Sequence, residues 1–230
     1  LKPFWLKLGG APPAQVHLSP PCSPPGPSCR SASADMGCSI GAVLADQMVK
    51  GGQAPVFGSP KDFGLDFQDV TFKASDGVQL RGWLIPGSNG KVIIRHHFGV
   101  QCCRCGYTPE GRGMGALYPE EINFLNHAKY LHEKGYTVLM YDLRNHGNSD
   151  VGTVPWITWG VEEAKDIAAA VEYISQHPSY KDSKIGMLNI CMGSNSALFA
   201  VRNGSLQKYS NISAAIVVQP SWLPNLAVPV

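Results

Sequence analysis

The run Ile185-Gly186-Met187-Leu188-Asn189-Ile190-Cys191-Met192-Gly193-Ser194 constrains this chain more than any other stretch. An apolar segment leads to a single nucleophile-capable side chain, and a helical pattern then runs on to Arg202. A strand that turns sharply into a helix holds the residue at its tip in a strained conformation and projects that side chain off the sheet. The residues two before and two after the tip approach each other closely, so both should be small. Gly193 meets that demand; Asn189 departs from it, although Asn tolerates unusual backbone angles better than most residues. A helix start beside the sulfur brings backbone N–H groups and the positive end of the dipole, which favour thiolate. The competing reading is a structural cysteine at a strand end, since free Cys is among the most buried residue types.

The rest of the chain alternates strands with helices. Residues 70–75 and 78–84 flank the turn dipeptide Asp76-Gly77 and read as a β-hairpin. Residues 91–96 and 137–141 read as strands, and residues 120–134 have helical spacing with Gly135 as the stop. Val161, Ala164, Ile167, Ala168, Val171 and Ile174 define an amphipathic helix ended by His177-Pro178. Residues 214–218 are a last apolar strand. This order predicts the α/β class: a mostly parallel sheet with helices on both faces.

Residues from about 65 to 220 resemble the front two-thirds of an α/β-hydrolase, on three landmarks in order. Ile93-Ile94-Arg95-His96-His97-Phe98-Gly99 is similar to that family's strand and oxyanion loop, usually written with His-Gly where His96-His97 stand. Tyr141-Asp142-Leu143-Arg144-Asn145-His146-Gly147-Asn148-Ser149 resembles its Asp-x-Arg-Gly-His-Gly-x-Ser turn, with Asn145 for Gly. Asn189-Ile190-Cys191-Met192-Gly193 is the nucleophile elbow, with a cysteine as in dienelactone hydrolases. The Asp76 to Trp83 hairpin looks more like the serine-aminopeptidase and acyl-peptidase branch.

The resemblance implies acyl transfer: a hydrolase or acyltransferase acting on an ester, thioester, lactone or peptide bond of a small acyl or peptide substrate. Cys191 would be the nucleophile, with the backbone N–H groups of Met192 and Phe98 as oxyanion hole. The family's acid and histidine follow the nucleophile in the chain, and the 39 residues after Cys191 contain no Asp, Glu or His. The expectation is therefore a C-terminally truncated domain lacking the last strands, whose final strand near 214–218 has an open apolar edge. His96 and His97, in the oxyanion loop, are the candidate surrogate bases, weighed against an ordinary structural role in that loop. The alternative from another class is a non-catalytic hydrolase-like protein that binds an acyl ligand or a partner.

Of seven cysteines, Cys102, Cys103 and Cys105 form a cluster directly after the oxyanion loop. No partner Cys-x-x-Cys or His pair completes a zinc set, so reduced thiols are expected, with no metal and no cofactor. Residues 1–35 hold eight of the 18 prolines and no hydrophobic period; they read as a disordered tail, or as translated non-coding sequence ahead of Met36. Residues 36–61 are then an N-terminal extension, and residues 62–230 the partial hydrolase domain. A start at Met36 would expose Gly37 and Cys38, a pattern like a myristoyl-plus-palmitoyl signal, making a cytoplasmic protein membrane-associated. The tail carries Lys2, Lys7 and Arg30 against Asp35, which accounts for the net charge of +2. The remainder is neutral, which argues against a nucleic-acid surface.

Overall fold

A computed structural model describes residues 42, 49, 54–99, 101–109 and 119–220. The expected hairpin forms: β1 (Gln68–Lys73) and β2 (Gln79–Ile85) pair antiparallel across the Asp76-Gly77 turn. Then follow β3 (Lys91–His96), a two-residue pair β4 (Gly106–Tyr107) and β5 (Ile122–Asn123), α1 (Leu125–Glu133) and β6 (Thr137–Tyr141). The chain continues through α2 (Ala164–Gln176), β7 (Lys184–Ile190), α3 (Met192–Arg202) and β8 (Ile212–Val218).

Two helices are shorter than their periodicity predicts, each for a local reason. Ile122 and Asn123 pair with β4, and the Asn123 carboxamide oxygen takes the Leu125 N–H at 3.0 Å, so α1 begins at Leu125. The Glu163 carboxylate accepts the N–H groups of Thr158 (2.9 Å) and Gly160 (2.8 Å), which holds residues 158–163 in turns until Ala164.

The six-stranded sheet has the order β1-β2-β6-β3-β7-β8. β2 joins β6 antiparallel, while β6, β3, β7 and β8 run parallel. The chain leaves central β3 for β6 on one side and returns to β7 on the other. Loops leaving the carboxyl ends of β3 and β7 therefore diverge, and such a switch point opens a crevice.

Period-two alternation sends Leu84, Leu139 and Ile94 to a core under α2 and α3, with Ile167, Val171, Ile174 and Ala197. Trp83, Ile85, Val138 and Met140 face a second core with Phe124, Leu125 and Ala128, under α1. Both faces of the sheet are thus covered. β8 is the exception: its residues from Ser213 on are exposed, Ile216 at 59%.

The turn after β6 is held by a buried ion cluster. Arg144, 1% exposed, donates from Nη2 (2.8 Å) and Nε (2.9 Å) to Asp166 and from Nη1 to Asp76 (2.7 Å). Burial works to raise the Asp76 pKa, but Arg144 and Lys165 outweigh it and hold the carboxyl at about 2. Removing one member of such a cluster strands the others without compensation. Arg144→Ala should cost about 3–5 kcal/mol, read as a lower urea midpoint with unchanged m-value; a loss within experimental error would remove the cluster from the fold's supports.

Candidate active site

Cys191 stands at the carboxyl end of β7, which lies beside β3 in the sheet. Its backbone has φ 51° and ψ −111°, between strand β7 and helix α3. A non-glycine residue in such a region stores about 1–3 kcal/mol and persists only where neighbours over-determine it. Here they do. The Cys191 N–H donates to Val218 O (2.8 Å), and Cys191 O accepts from Ser194 N–H (2.9 Å) and Asn195 N–H (3.1 Å). The Ser194 hydroxyl lies 3.0 Å from Asn189 O and 2.9 Å from Val218 O as donor, and accepts the Val218 N–H at 3.2 Å. The thiol makes no cap bond to the helix it precedes.

The loop after β3 packs directly on the elbow. A Cβ at Gly193 would sit 2.8 Å from His97 O and 2.9 Å from His96 O; one at Gly99 would sit 2.9 Å from Met192 Sδ. Only the absence of these side chains lets the backbone carrying Phe98 and the first turn of α3, with Met192, come together. The other wall is residues 157–160. Asn195 Nδ2 donates to Trp159 O (3.2 Å), and the Glu163 carboxylate fixes that loop from below.

Asn189, at the position where a small residue is expected, does more than fit. His96 and Asn189 are register partners on β3 and β7. His96 Nδ1–H donates to Asn189 Oδ1 (2.6 Å), and Asn189 Nδ2 donates to Ile216 O of β8 (2.9 Å). One side chain thus ties three strands just beneath the nucleophile position. Asn145 likewise stands for Gly with φ 63°, and its carboxamide holds Val154 O, Trp156 O and the Gly152 N–H.

Both loop histidines bond within the scaffold, His97 through both ring nitrogens and His96 through Nδ1, while the buried His96 Nε2 has no hydrogen-bond partner among the described residues. His97 Nε2 accepts the Leu143 N–H (3.0 Å), and its Nδ1–H donates to Phe98 O (2.6 Å), so both ring nitrogens have partners. Burial, with His146 next, pushes the His97 pKa well below 6.5. Burial, reinforced by Arg95 and opposed by the Asn189 bond, lowers that of His96 to about 4. Both imidazoles are neutral supports in this arrangement. Asp142 accepts the N–H groups of Arg104 (2.6 Å) and Asn148 (2.9 Å), with burial raising its pKa and Arg104 opposing.

Cys102, Cys103 and Cys105 are buried in the core under α1, and neither they nor Cys191 form a disulfide. Among the described residues no His, Cys, Asp or Glu group could hold a metal, and no helix is long and apolar enough to cross a membrane. Gly37, Cys38 and residues 1–35 lie outside the described residues.

The structure is similar to a solved one, the Pyrococcus furiosus esterase Pf2001. The match has a TM-score of 0.55 and 28% identity, covering 73% of this chain and 57% of that one. The chain has the α/β-hydrolase fold. No family model matches the sequence. It is 30% identical over 157 residues to the polyketide transferase grgF of Penicillium sp., covering 68% of this chain and 46% of that protein. A polyketide transferase of Gibberella fujikuroi is 29% identical over 167 residues, 69% of this chain and 44% of that one. The chain spans less than half the length of these curated relatives.

Two outcomes follow from this geometry. Gly193→Ala should cost about 1–3 kcal/mol, because the methyl meets backbone rather than a flexible side chain. Thermal unfolding reads the loss, and an unchanged midpoint would mean that the elbow and loop are not in contact. The folded His96 titrates at about 4 against an ordinary 6.5. Between those values the unfolded chain binds more protons, so stability present above pH 6.5 should fall as the pH drops. His96→Asn should flatten that acid limb in denaturant titrations, and His96 ring resonances that titrate near pH 6.5 would contradict the buried neutral state.

Proposed function

We propose that this α/β-hydrolase-fold chain carries the acyl-transfer half-site of a thiol-dependent acyl hydrolase or acyltransferase, with Cys191 as nucleophile. The single observation that carries the reading is the over-determined strained turn at Cys191, pressed against the loop that bears Phe98. In the first step the sulfur attacks a carbonyl carbon and the charge develops on the carbonyl oxygen. The N–H groups of Met192 and Phe98 are the donors for that oxygen. Collapse breaks the bond to the leaving group, which departs carrying the proton that the thiol has lost. The resulting thioester is then attacked by water or by an acceptor hydroxyl or amine, which regenerates the thiol.

Several supports converge on this reading. The relatives are named polyketide transferases, and the solved neighbour is named an esterase. The substrate class that fits both is an acyl chain of polyketide type, held as an ester or thioester. His96 and His97 act in this scheme as positioning residues: His97 holds the carbonyl side of the Phe98 peptide, and His96 holds Asn189 beneath the elbow. His97 is satisfied at both nitrogens, and His96 is fully buried with Nδ1 committed to Asn189, so surrogate general-base duty is not part of the proposal.

The test is site-directed labelling of the full chain with an iodoacetamide or acyl-phosphonate probe, followed by mass-spectrometric mapping against Cys191→Ala. Cys191 should be labelled at least about tenfold faster than Cys102, Cys103 and Cys105, as expected of an activated thiol beside a helix start. Asn189→Ala should slow that labelling without abolishing it. Equal rates at all four thiols would leave a hydrolase-like binding protein as the better account.

A further inference from the structure

Arg95 projects from β3 beneath α1, buried and, among the described residues, without a carboxylate beside it. Its contacts run to the first turn of α1. Cζ lies 3.3 Å from the centroid of the Phe124 ring, Nη2 lies 3.2 Å from His127 Nδ1, and Nε has no hydrogen-bond partner. A guanidinium can only donate, so His127 Nδ1 is the acceptor and the imidazole proton sits on Nε2. The contact is therefore built for the neutral form of His127. Unlike His96 and His97, His127 is exposed, within reach of solvent protons.

Phe124 joins this pair to the loop over the elbow. Its ring stacks on that of His127, with centroids 5.9 Å apart and 28° between planes, and meets the Phe98 ring edge-on at 5.6 Å and 84°. Phe98 directly follows His97, whose carbonyl packs against Gly193. Among the described residues, Arg95 is the charge that faces His127 from β3, and burial, with Arg95 next, lowers the His127 pKa. β6 turns uncharged Val138 and Met140 toward α1. The turn Pro60–Phe63, also packed on α1, carries Lys61 and Asp62, and Asp62 accepts the Ser59 N–H at 2.7 Å. On α1 itself Tyr130, one turn on, is exposed beneath Lys134 Nζ at 5.4 Å. Cys102 is the remaining titratable group beside Arg95, and burial pushes its thiol well up, so it stays uncharged.

We propose that His127 is a proton-operated latch, in which protonation of Nδ1 withdraws the acceptor that holds Arg95 and frees the Phe98 loop. The proton comes from solvent, and the new N–H then points at the donor hydrogens of Arg95, with two cations in contact. The imidazolium turns out to water, which its exposed position allows. Arg95 is left buried against a ring with no neutral acceptor among the described residues, a costly state for a charged donor. Phe124 loses the imidazole stacked on it and the anchoring of the cation against it, so its edge contact with Phe98 loosens. In the closed stack His127 binds its proton less tightly than a released imidazole, which titrates near the ordinary 6.5. The closed form is therefore favoured above pH 6.5 and loses ground as the pH falls below it. The latch acts on the conformation of a loop and holds whether or not Cys191 is a nucleophile.

The experiment measures amide protection in the full chain at about pH 7.5 and about pH 5, corrected for the intrinsic pH dependence of exchange. Protection over residues 96–99 and 124–128 should fall at least about threefold on acidification, under the ceiling of about thirtyfold set by a group that titrates at 6.5 when released. Residues 138–141 and 185–188 should keep theirs. His127→Asn, whose carboxamide oxygen is a pH-independent acceptor at the Nδ1 position, should stay protected at both pH values. His127→Lys, a fixed cation, should be open at both. Imidazole NMR should give a His127 midpoint below 6.5 that rises in Arg95→Met. Acid-induced loss that persists in His127→Asn, loss shared equally by residues 138–141, protection retained in His127→Lys, or a midpoint unmoved by Arg95→Met would overturn the proposal. None of these readouts involves the Cys191 thiol, so failure here is distinct from failure of the nucleophile assignment.

Discussion

The backbone at Cys191 is the constraint on which the rest of the site depends. A non-glycine residue at φ 51° and ψ −111° is not held by its own segment. It is held by the neighbouring strand through Val218 O, by the first turn of α3 through Ser194 and Asn195, and by the close approach of the β3 loop to Gly193. Each of these contacts requires a different part of the sheet to be in register. The strained tip and the strand order are therefore one requirement seen at two scales.

A second layer, made of buried charge, holds the loops around that tip. Glu163 is fully buried and spends its carboxylate on Thr158 and Gly160, which aims the 157–160 wall. Arg144 and Asp142 do the same for the turn after β6. All three have several hydrogen-bonding partners, which is what makes an ionised group tolerable at such depth. Arg95 contrasts with them. It is 2% exposed, stacks 3.3 Å from the Phe124 ring and, among the described residues, donates to His127, and burial lowers its pKa to about 9. Among the described residues, the cation on the α1 face of the sheet is thus supported by ring and imidazole rather than by a carboxylate.

Local chemistry made much of this readable from the sequence. The period-two strands, the Asp76-Gly77 hairpin and the α2 stripe each depend on near neighbours, and all three form. The elbow was legible because its spacing demands a small residue at 193, and the close contacts there show why. What escaped depends on pairing between distant strands. Asn189 reads only as a departure from a small residue until β3 is laid beside β7 and His96 becomes its partner. His97 reads as available until the Leu143 N–H, 46 residues away, is found on its ring. Helix starts at 125 and 164 were displaced by Asn123 and Glu163, side chains that compete for the backbone donors that a helix would otherwise leave open.

β8 carries a mechanical consequence. It is the outermost strand among the described residues, its side chains are exposed, and yet its Val218 and Ile216 carbonyls are the anchors for Cys191 and Asn189. Edge strands open with far smaller free energies than the core they border. Among the described residues, the elbow is therefore tied to the opening equilibrium of the outermost strand as well as to the core. Whatever pairs with the outer edge of β8, or pulls on it, acts as a lever on the sulfur of Cys191.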